Sequence, residues 1–253
     1  MGSLTDKIAF ITGASSGIGM AIAREFSKSG VNLVLAARRS ERLKKLASEL
    51  PTKALVVELD IRNRNKVESA ISGLGSEWSQ IDILVNNAGL GRGLEKIHEG
   101  NPDGWDEMID TNLKGLLYVS RSIIPGMAKR SKGHIINIGS IAGHELYPGG
   151  NVYCATKHAV DAITRGMLID LVDTPIRVST VDPGLVQTEF SDVRFYGDSE
   201  RAKKVYQGYK PLAPEDIAEA VVWIANRPEH VQVAQMIVFP TAQGAAMITH
   251  KTN

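Results

Sequence analysis

Seven short apolar runs recur along the chain: Ile8–Ile11, Val31–Ala37, Ala54–Val57, Ile83–Val85, His134–Ile138, Ile176–Val181 and Met236–Phe239. Each is continuous instead of alternating apolar with polar residues. A strand that faces water on one side alternates, whereas a strand covered on both sides does not. The runs therefore predict a parallel sheet between two layers of helices. Helical segments lie between them, the clearest carrying Trp105, Met108, Ile109, Asn112, Leu113, Leu116 and Leu117 three and four apart, along one expected face. This alternation predicts an α/β, doubly wound domain. No repeat, low-complexity tract or Pro/Ser-rich linker divides the sequence, so residues 1–253 read as one domain. Only the stretch from Pro183 to about Pro214 breaks the rhythm, with Gly, aromatics and charges but no strand. A stretch of that size in a compact domain is usually functional.

Composition removes several alternatives. With 29 basic and 28 acidic side chains, the formal charge of +1 gives no field to gather nucleic acid or an anionic membrane. A single cysteine, Cys154, rules out an intrachain disulfide and a multi-cysteine metal site, and fits a reducing cytosol. Six scattered histidines form no metal-binding pair, so no metal is expected. No window approaches ~18 consecutive apolar residues. The start, Met1-Gly2-Ser3-Leu4-Thr5-Asp6, has neither a signal-peptide pattern nor the Ser or Thr of a myristoylation signal. A cytoplasmic protein is the expectation.

The first run leads directly into Thr12-Gly13-Ala14-Ser15-Ser16-Gly17-Ile18-Gly19, and a helix comes next with Ile18, Ile22 and Phe26 on one face. A nucleotide pyrophosphate needs close backbone approach, free N–H groups and a helix N-terminus, and this loop offers all three. The same residues satisfy G-x-S-x-G, the nucleophile elbow of α/β-hydrolases. That elbow needs earlier strands to build its oxyanion hole, and only one strand precedes Ser15. A glycine-rich structural turn is the remaining alternative. Eighteen residues after Gly19, where an NAD site places an acid on the ribose 2′-hydroxyl, stands Ala37, followed by Arg38 and Arg39. Two guanidiniums without a carboxylate favour a 2′-phosphate, hence NADP. Asp60-Ile61 and Asn86-Asn87-Ala88-Gly89 come after the third and fourth strands, where they would line the same crevice.

Tyr153-Cys154-Ala155-Thr156-Lys157 puts a phenol and an ammonium one helical turn apart. The ammonium is expected to lower the phenol's pKa towards the working range. Ser140, at the end of Asn137-Ile138-Gly139-Ser140, can hold a substrate oxygen, and Asn112 can anchor a proton-relay water. A second copy of the spacing, Tyr206 to Lys210, lacks an upstream hydroxyl residue and reads as a surface accident.

With these residues assembled, the chain resembles the short-chain dehydrogenase/reductase family over essentially its full length. The resemblance is carried by Thr12-Gly13…Gly17-x-Gly19, Asn86-Asn87-Ala88-Gly89, Asn112, Ser140, Tyr153-x-x-x-Lys157 and Pro183-Gly184 followed by Val186 and Thr188. It implies a Rossmann-like sheet of about seven parallel strands and a tetramer or dimer, with a homotetramer expected. It also implies Tyr153 as acid/base, Lys157 on the nicotinamide ribose, Ser140 on the substrate carbonyl, Asn112 on the relay water and Pro183–Thr188 on the carboxamide. Ala37-Arg38-Arg39-Ser40-Glu41-Arg42-Leu43, Gly149-Gly150-Asn151-Val152-Tyr153 and Glu189-Phe190-Ser191-Asp192-Val193-Arg194-Phe195 are similar to the NADP-dependent 3-hydroxy acid dehydrogenases. That implies serine, allo-threonine or 3-hydroxypropionate as substrate type, or the matching semialdehyde. His144-Glu145-Leu146 and Arg92, in expected pocket loops, depart from that group's pattern, so uncharged ketones or aldehydes and sulfoacetaldehyde-like compounds stay open. A regulator that binds NADP without chemistry is the other class, and loss of Tyr153, Lys157 or Ser140 would have been its mark. The segment at about 183–213 is expected to cover the substrate, with Arg194, flanked by Val193 and Phe195, as a candidate partner for a substrate carboxylate.

Overall fold

The computed structural model describes residues 4–252, so Met1 to Ser3, part of the N-terminal signal reading, lie outside the described residues. All seven predicted strands form: β1 (Ile8–Thr12), β2 (Asn32–Ala37), β3 (Ala54–Glu58), β4 (Ile83–Asn86), β5 (Gly133–Ile138), β6 (Ile176–Pro183) and β7 (Gln235–Val238). They pair in one parallel sheet in the order β3-β2-β1-β4-β5-β6-β7. The continuous apolar runs arise from burial on both faces: Ile11 points into one core and its neighbour Phe10 into the other. On the first face lie α1 (Gly17–Lys28), α2 (Ser40–Glu49) and α9 (Pro214–Ala225), which contribute Phe26, Leu43 and Val221. The second face is covered by α3 (Arg64–Ser72), α5 (Leu116–Lys129) and the long α6 (Asn151–Asp170), with Val67, Val119 and Met167 turned inward. Between α3 and α5, and after β6, come three shorter helices: α4 (Pro102–Ile109), α7 (Phe190–Arg194) and α8 (Ser199–Lys204). Among the described residues no helix is long and apolar enough to cross a membrane.

Two expectations change. The helix from Trp105 to Leu117 is not one continuous face: α4 ends at Ile109, a π-helical turn spans Asp110–Gly115, and α5 starts at Leu116. The wider turn shifts the phase of α5 relative to α4, so Leu116 is buried while Leu117 is 40% exposed. The stretch after Pro183 is also more regular than its composition suggests, holding α7 and α8 and one bridge from Val186 to Leu212.

Strand order reverses at β1, where β2 departs to one side and β4 to the other, opening a crevice at the carboxyl ends of these strands. The loop after β1 is pressed onto the segment after β4. Gly13 has φ +65°, and a Cβ there would meet the Ala88 backbone at 2.9 Å. Gly19, in the first turn of α1, lies beneath this loop against the Asn87 amide and the Gly13 carbonyl. Gly19→Ala should therefore force a backbone shift and lower stability by about 1–3 kcal/mol, read from the urea unfolding midpoint at unchanged m-value.

Candidate active site

A cavity of about 600 Å3 runs along the carboxyl edge of the sheet from the β1–α1 loop to α7. At one end, the Thr12 hydroxyl donates to the Val85 carbonyl at 3.3 Å and accepts from the N–H groups of Asn87 and Ala88, both at 3.0 Å. The Asn87 amide donates to the Thr12 carbonyl at 2.9 Å. These bonds fix the glycine loop, whose Ser15, Ser16, Gly17 and Ile18 line the cavity with Gly13. Ser16 is the N-cap of α1, yet its side chain makes no capping bond, which leaves the first N–H groups of the helix for a ligand. Gly19 does not line the cavity; its contribution is the close packing described above.

Arg39 organises the same end. Its guanidinium donates to Ser16 Oγ at 2.7 Å, to Ser15 Oγ at 3.3 Å and to Glu189 at 3.0 Å. Arg42, for which the sequence suggests no role, donates to the other Glu189 oxygen at 2.7 Å. Burial opposes ionisation of Glu189, but the bonds from Arg42 and Arg39 hold its carboxyl below the usual value. Arg38 lies in the cavity wall, more than half exposed and 3.9 Å from Glu107. Asp60 and Ile61 also line the wall, with Asp60 clamped by Arg62 at 2.6 Å, and this hydrogen bond keeps its carboxyl below the usual range. Asn87, Ala88 and Gly89 continue the wall on one side, and Pro183, Gly184, Val186 and Thr188 on the other.

At the other end stand Ser140, Tyr153 and Lys157. Ser140 begins a 3-10 turn (Ile141–Gly143) at the end of β5 and accepts from the Ala142 N–H at 3.1 Å. Tyr153 and Lys157 share a face of α6, but the ammonium turns to the Ile138 carbonyl at 2.9 Å. Burial lowers its pKa to about 8, with Asp182 opposing the drop. Burial raises the phenol above its ordinary value, and the opposing influences are the Arg194 guanidinium and a hydrogen bond with Ser140. Arg194 sits 4.7 Å over the Tyr153 ring and 4.9 Å over that of Phe190, and donates to the Tyr147 hydroxyl at 2.9 Å. Its Nε is buried and has no acceptor.

Asn112 is on the π-helical turn but does not line the cavity. Its side-chain oxygen accepts from the Leu90 N–H at 2.8 Å, and its amide donates to the Leu90 carbonyl at 2.8 Å and to Thr156 Oγ1 at 3.0 Å. These bonds tie the post-β4 loop to α6. Tyr206 is no surface accident. It lines the cavity, donates to the Val186 carbonyl at 2.9 Å and lies 2.9 Å from the Ser191 hydroxyl. Arg92 and His144 are outside the cavity, paired with Glu107 at 2.7 Å and Asp182 at 2.8 Å, and Leu146 is exposed. Sequence reasoning missed Tyr147, Phe190, Gln243 and Met247, which also line the cavity. Gln243 is anchored by accepting from the Leu185 N–H at 2.8 Å, a link between distant segments with no local motif to reveal it.

The chain matches the family model for short chain dehydrogenases over residues 7–196. It is 47% identical over 247 residues to the NADP-dependent 3-hydroxy acid dehydrogenase YdfG of Salmonella typhi, covering 97% of this chain and all of that protein. It is 44% identical to the NADP-dependent 3-hydroxy acid dehydrogenase of Schizosaccharomyces pombe, with 97% of each chain covered. The closed form of a serine dehydrogenase complexed with NADP+ superposes with a TM-score of 0.93 at 45% identity, over 97% of this chain and 100% of that one. The parallel sheet, the glycine loop and the Ser–Tyr–Lys arrangement thus have one common source: the chain belongs to the short chain dehydrogenase family.

Proposed function

We propose that the protein oxidises a small 3-hydroxy acid, or reduces the matching semialdehyde, with NADP(H). Arg194 carries this reading. A guanidinium with a buried, unpaired Nε beside the Tyr153 phenol calls for an acceptor, and a substrate carboxylate supplies one. The curated relatives named for NADP-dependent 3-hydroxy acid dehydrogenation and the NADP+ complex of a serine dehydrogenase support the same class. The segment from 183 to 213 is read as the substrate cover that brings Arg194 to Tyr153.

The coenzyme site fits NADP on this chain's own features: an uncapped helix N-terminus, a glycine loop without room for side chains, and Arg38 and Arg39 where an acid would disfavour a phosphate. Held there, NADP would supply the hydride acceptor for oxidation and the donor for reduction. Ser140 holds the substrate oxygen. Tyr153 takes the hydroxyl proton during oxidation and gives it back during reduction. Lys157, held beside the Ile138 carbonyl, is assigned the ribose hydroxyls, and Asn112, whose side chain ties α6 to the Leu90 loop, is assigned the relay water. A homotetramer is in keeping with the family resemblance, and exposed apolar side chains such as Leu117, Ile169, Val172, Trp223 and Ile237 leave surface for such contacts. A lone, buried, free cysteine agrees with a cytoplasmic setting.

Three outcomes test this. Tyr153→Phe should abolish turnover and leave NADPH binding nearly intact in a fluorescence titration, whereas Tyr206→Phe should retain turnover. An equal loss from both would show the wrong tyrosine has been assigned, and no turnover of any hydroxy acid or aldehyde by the unmodified chain would favour a regulator. For the coenzyme, the unmodified chain should prefer NADP in kcat/KM, and Ala37→Asp with Arg38 and Arg39 made neutral should invert the preference. Equal efficiency with NAD would refute the phosphate reading. Arg194→Ala should lose about 2–5 kcal/mol of transition-state binding for 3-hydroxy acids and little for uncharged alcohols. Because a cation favours the phenolate, its loss should also move the alkaline rise of alcohol oxidation to higher pH. A preference of the unmodified enzyme for neutral alcohols or ketones would overturn the acid assignment.

A further inference from the structure

A second group of polar side chains lies behind Ser140 and Lys157, outside the cavity. Asp182, near the end of β6, is only 2% exposed. One carboxylate oxygen accepts from the Thr180 hydroxyl at 2.6 Å. The other accepts from the Gln235 amide, at the start of β7, at 2.8 Å and lies 2.8 Å from His144 Nε2. Burying a carboxylate is unfavourable unless it is both hydrogen-bonded and matched by a positive charge. The hydrogen bonds are these, His144 is the group within 4 Å that can carry the charge, and the Lys157 ammonium lies across one peptide from the carboxylate. The two groups flank one peptide: Lys157 donates to the Ile138 carbonyl, and Asp182 packs against the next residue, Gly139, where any side chain would collide with the carboxylate.

His144 connects the same carboxylate to Ser140. It ends the 3-10 turn that Ser140 begins, with its N–H on the Ile141 carbonyl at 2.9 Å and the Gly143 N–H on the Ser140 carbonyl at 2.8 Å. The charged and titratable groups facing Asp182 are therefore His144 from the turn and Lys157 from α6. Asp161 of α6 reaches only the Gln235 amide, at 3.4 Å, and is itself paired with Arg165 at 3.0 Å. Around Lys157, the other titratable neighbour is Tyr153, one turn earlier on α6.

We propose that Asp182 is the positioning residue of this site, its buried carboxylate standing across the Ile138–Gly139 peptide as the counter-charge of Lys157 and, through His144, fixing the turn that presents Ser140. The proposal builds on the roles given to Lys157 and Ser140 above. It also gives His144 a place, as the link between a buried carboxylate and the serine turn. The opposition of Asp182 to the burial-driven fall of Lys157 has the same sign.

The Lys157 13Cε resonance, titrated by NMR in the coenzyme-free protein, reads the first half directly. Its midpoint should lie well below that of an ordinary lysine, and Asp182→Asn should lower it by about one further pH unit, because an amide cannot offset burial. NADPH affinity, followed by fluorescence, should then be lost at correspondingly lower pH. An unchanged Lys157 midpoint in folded Asp182→Asn overturns the proposal. A shifted midpoint with unaltered NADPH affinity and turnover keeps Asp182 as the counter-charge and instead refutes the role assigned to Lys157. If Asp182→Asn alone does not fold, adding Lys157→Met should restore folding by removing the orphaned charge; a double variant no more stable than the single one overturns the pairing. For the serine turn, His144→Ala should lower kcat several-fold at unchanged coenzyme KM, with His144→Gln recovering most of it through a replacement donor. Equal kcat in all three proteins overturns that half.

Discussion

The geometry of the site depends on one buried hydroxyl. Thr12 stands at the carboxyl end of β1 and bonds three backbone groups that belong to β4 or come just after it: the Val85 carbonyl and the N–H groups of Asn87 and Ala88. β1 and β4 are neighbours in the sheet but distant in sequence, and their parallel ladder ends at Ile11 and Val85. The hydroxyl carries the link beyond that point into the loop after β4, and Asn87 returns it by donating to the Thr12 carbonyl. The glycine loop, the N-terminus of α1 and the floor of the cavity inherit their positions from this junction.

The chemistry at the other end is governed by how burial and charge oppose each other. Both Tyr153 and Lys157 are pushed by burial towards their neutral forms. Each is opposed by a different charge: Arg194, delivered by α7, acts on the phenol, and Asp182, delivered by β6, acts on the ammonium. The phenol's helper is on a surface segment and the ammonium's helper is in the sheet.

The fold was legible because burial on both faces leaves an unmistakable mark, continuous apolar runs, and all seven became strands. The glycine loop, Ser140, Tyr153 and Lys157 could be singled out because each belongs to a short local motif, and the structure brings all of them to one cavity. Contacts between distant segments escaped. The π-helical widening at Asp110–Gly115 leaves no mark in a three-and-four apolar spacing, so the exposure of Leu117 could not be read. Tyr206 looked accidental because its partners, Val186 and Ser191, are 20 and 15 residues away along the chain. Helical spacing correctly put Lys157 on the face of Tyr153, but its long flexible side chain went to the Ile138 carbonyl instead.

Arg39 touches two things at once: the serines of the glycine loop and, through Glu189, the segment that leads into α7. The glycine loop and the approach to α7 thus share a tether. Replacing Arg39 cuts it and leaves Glu189 to Arg42 alone. Arg38, which makes only a distant contact with Glu107, can be exchanged without that side effect.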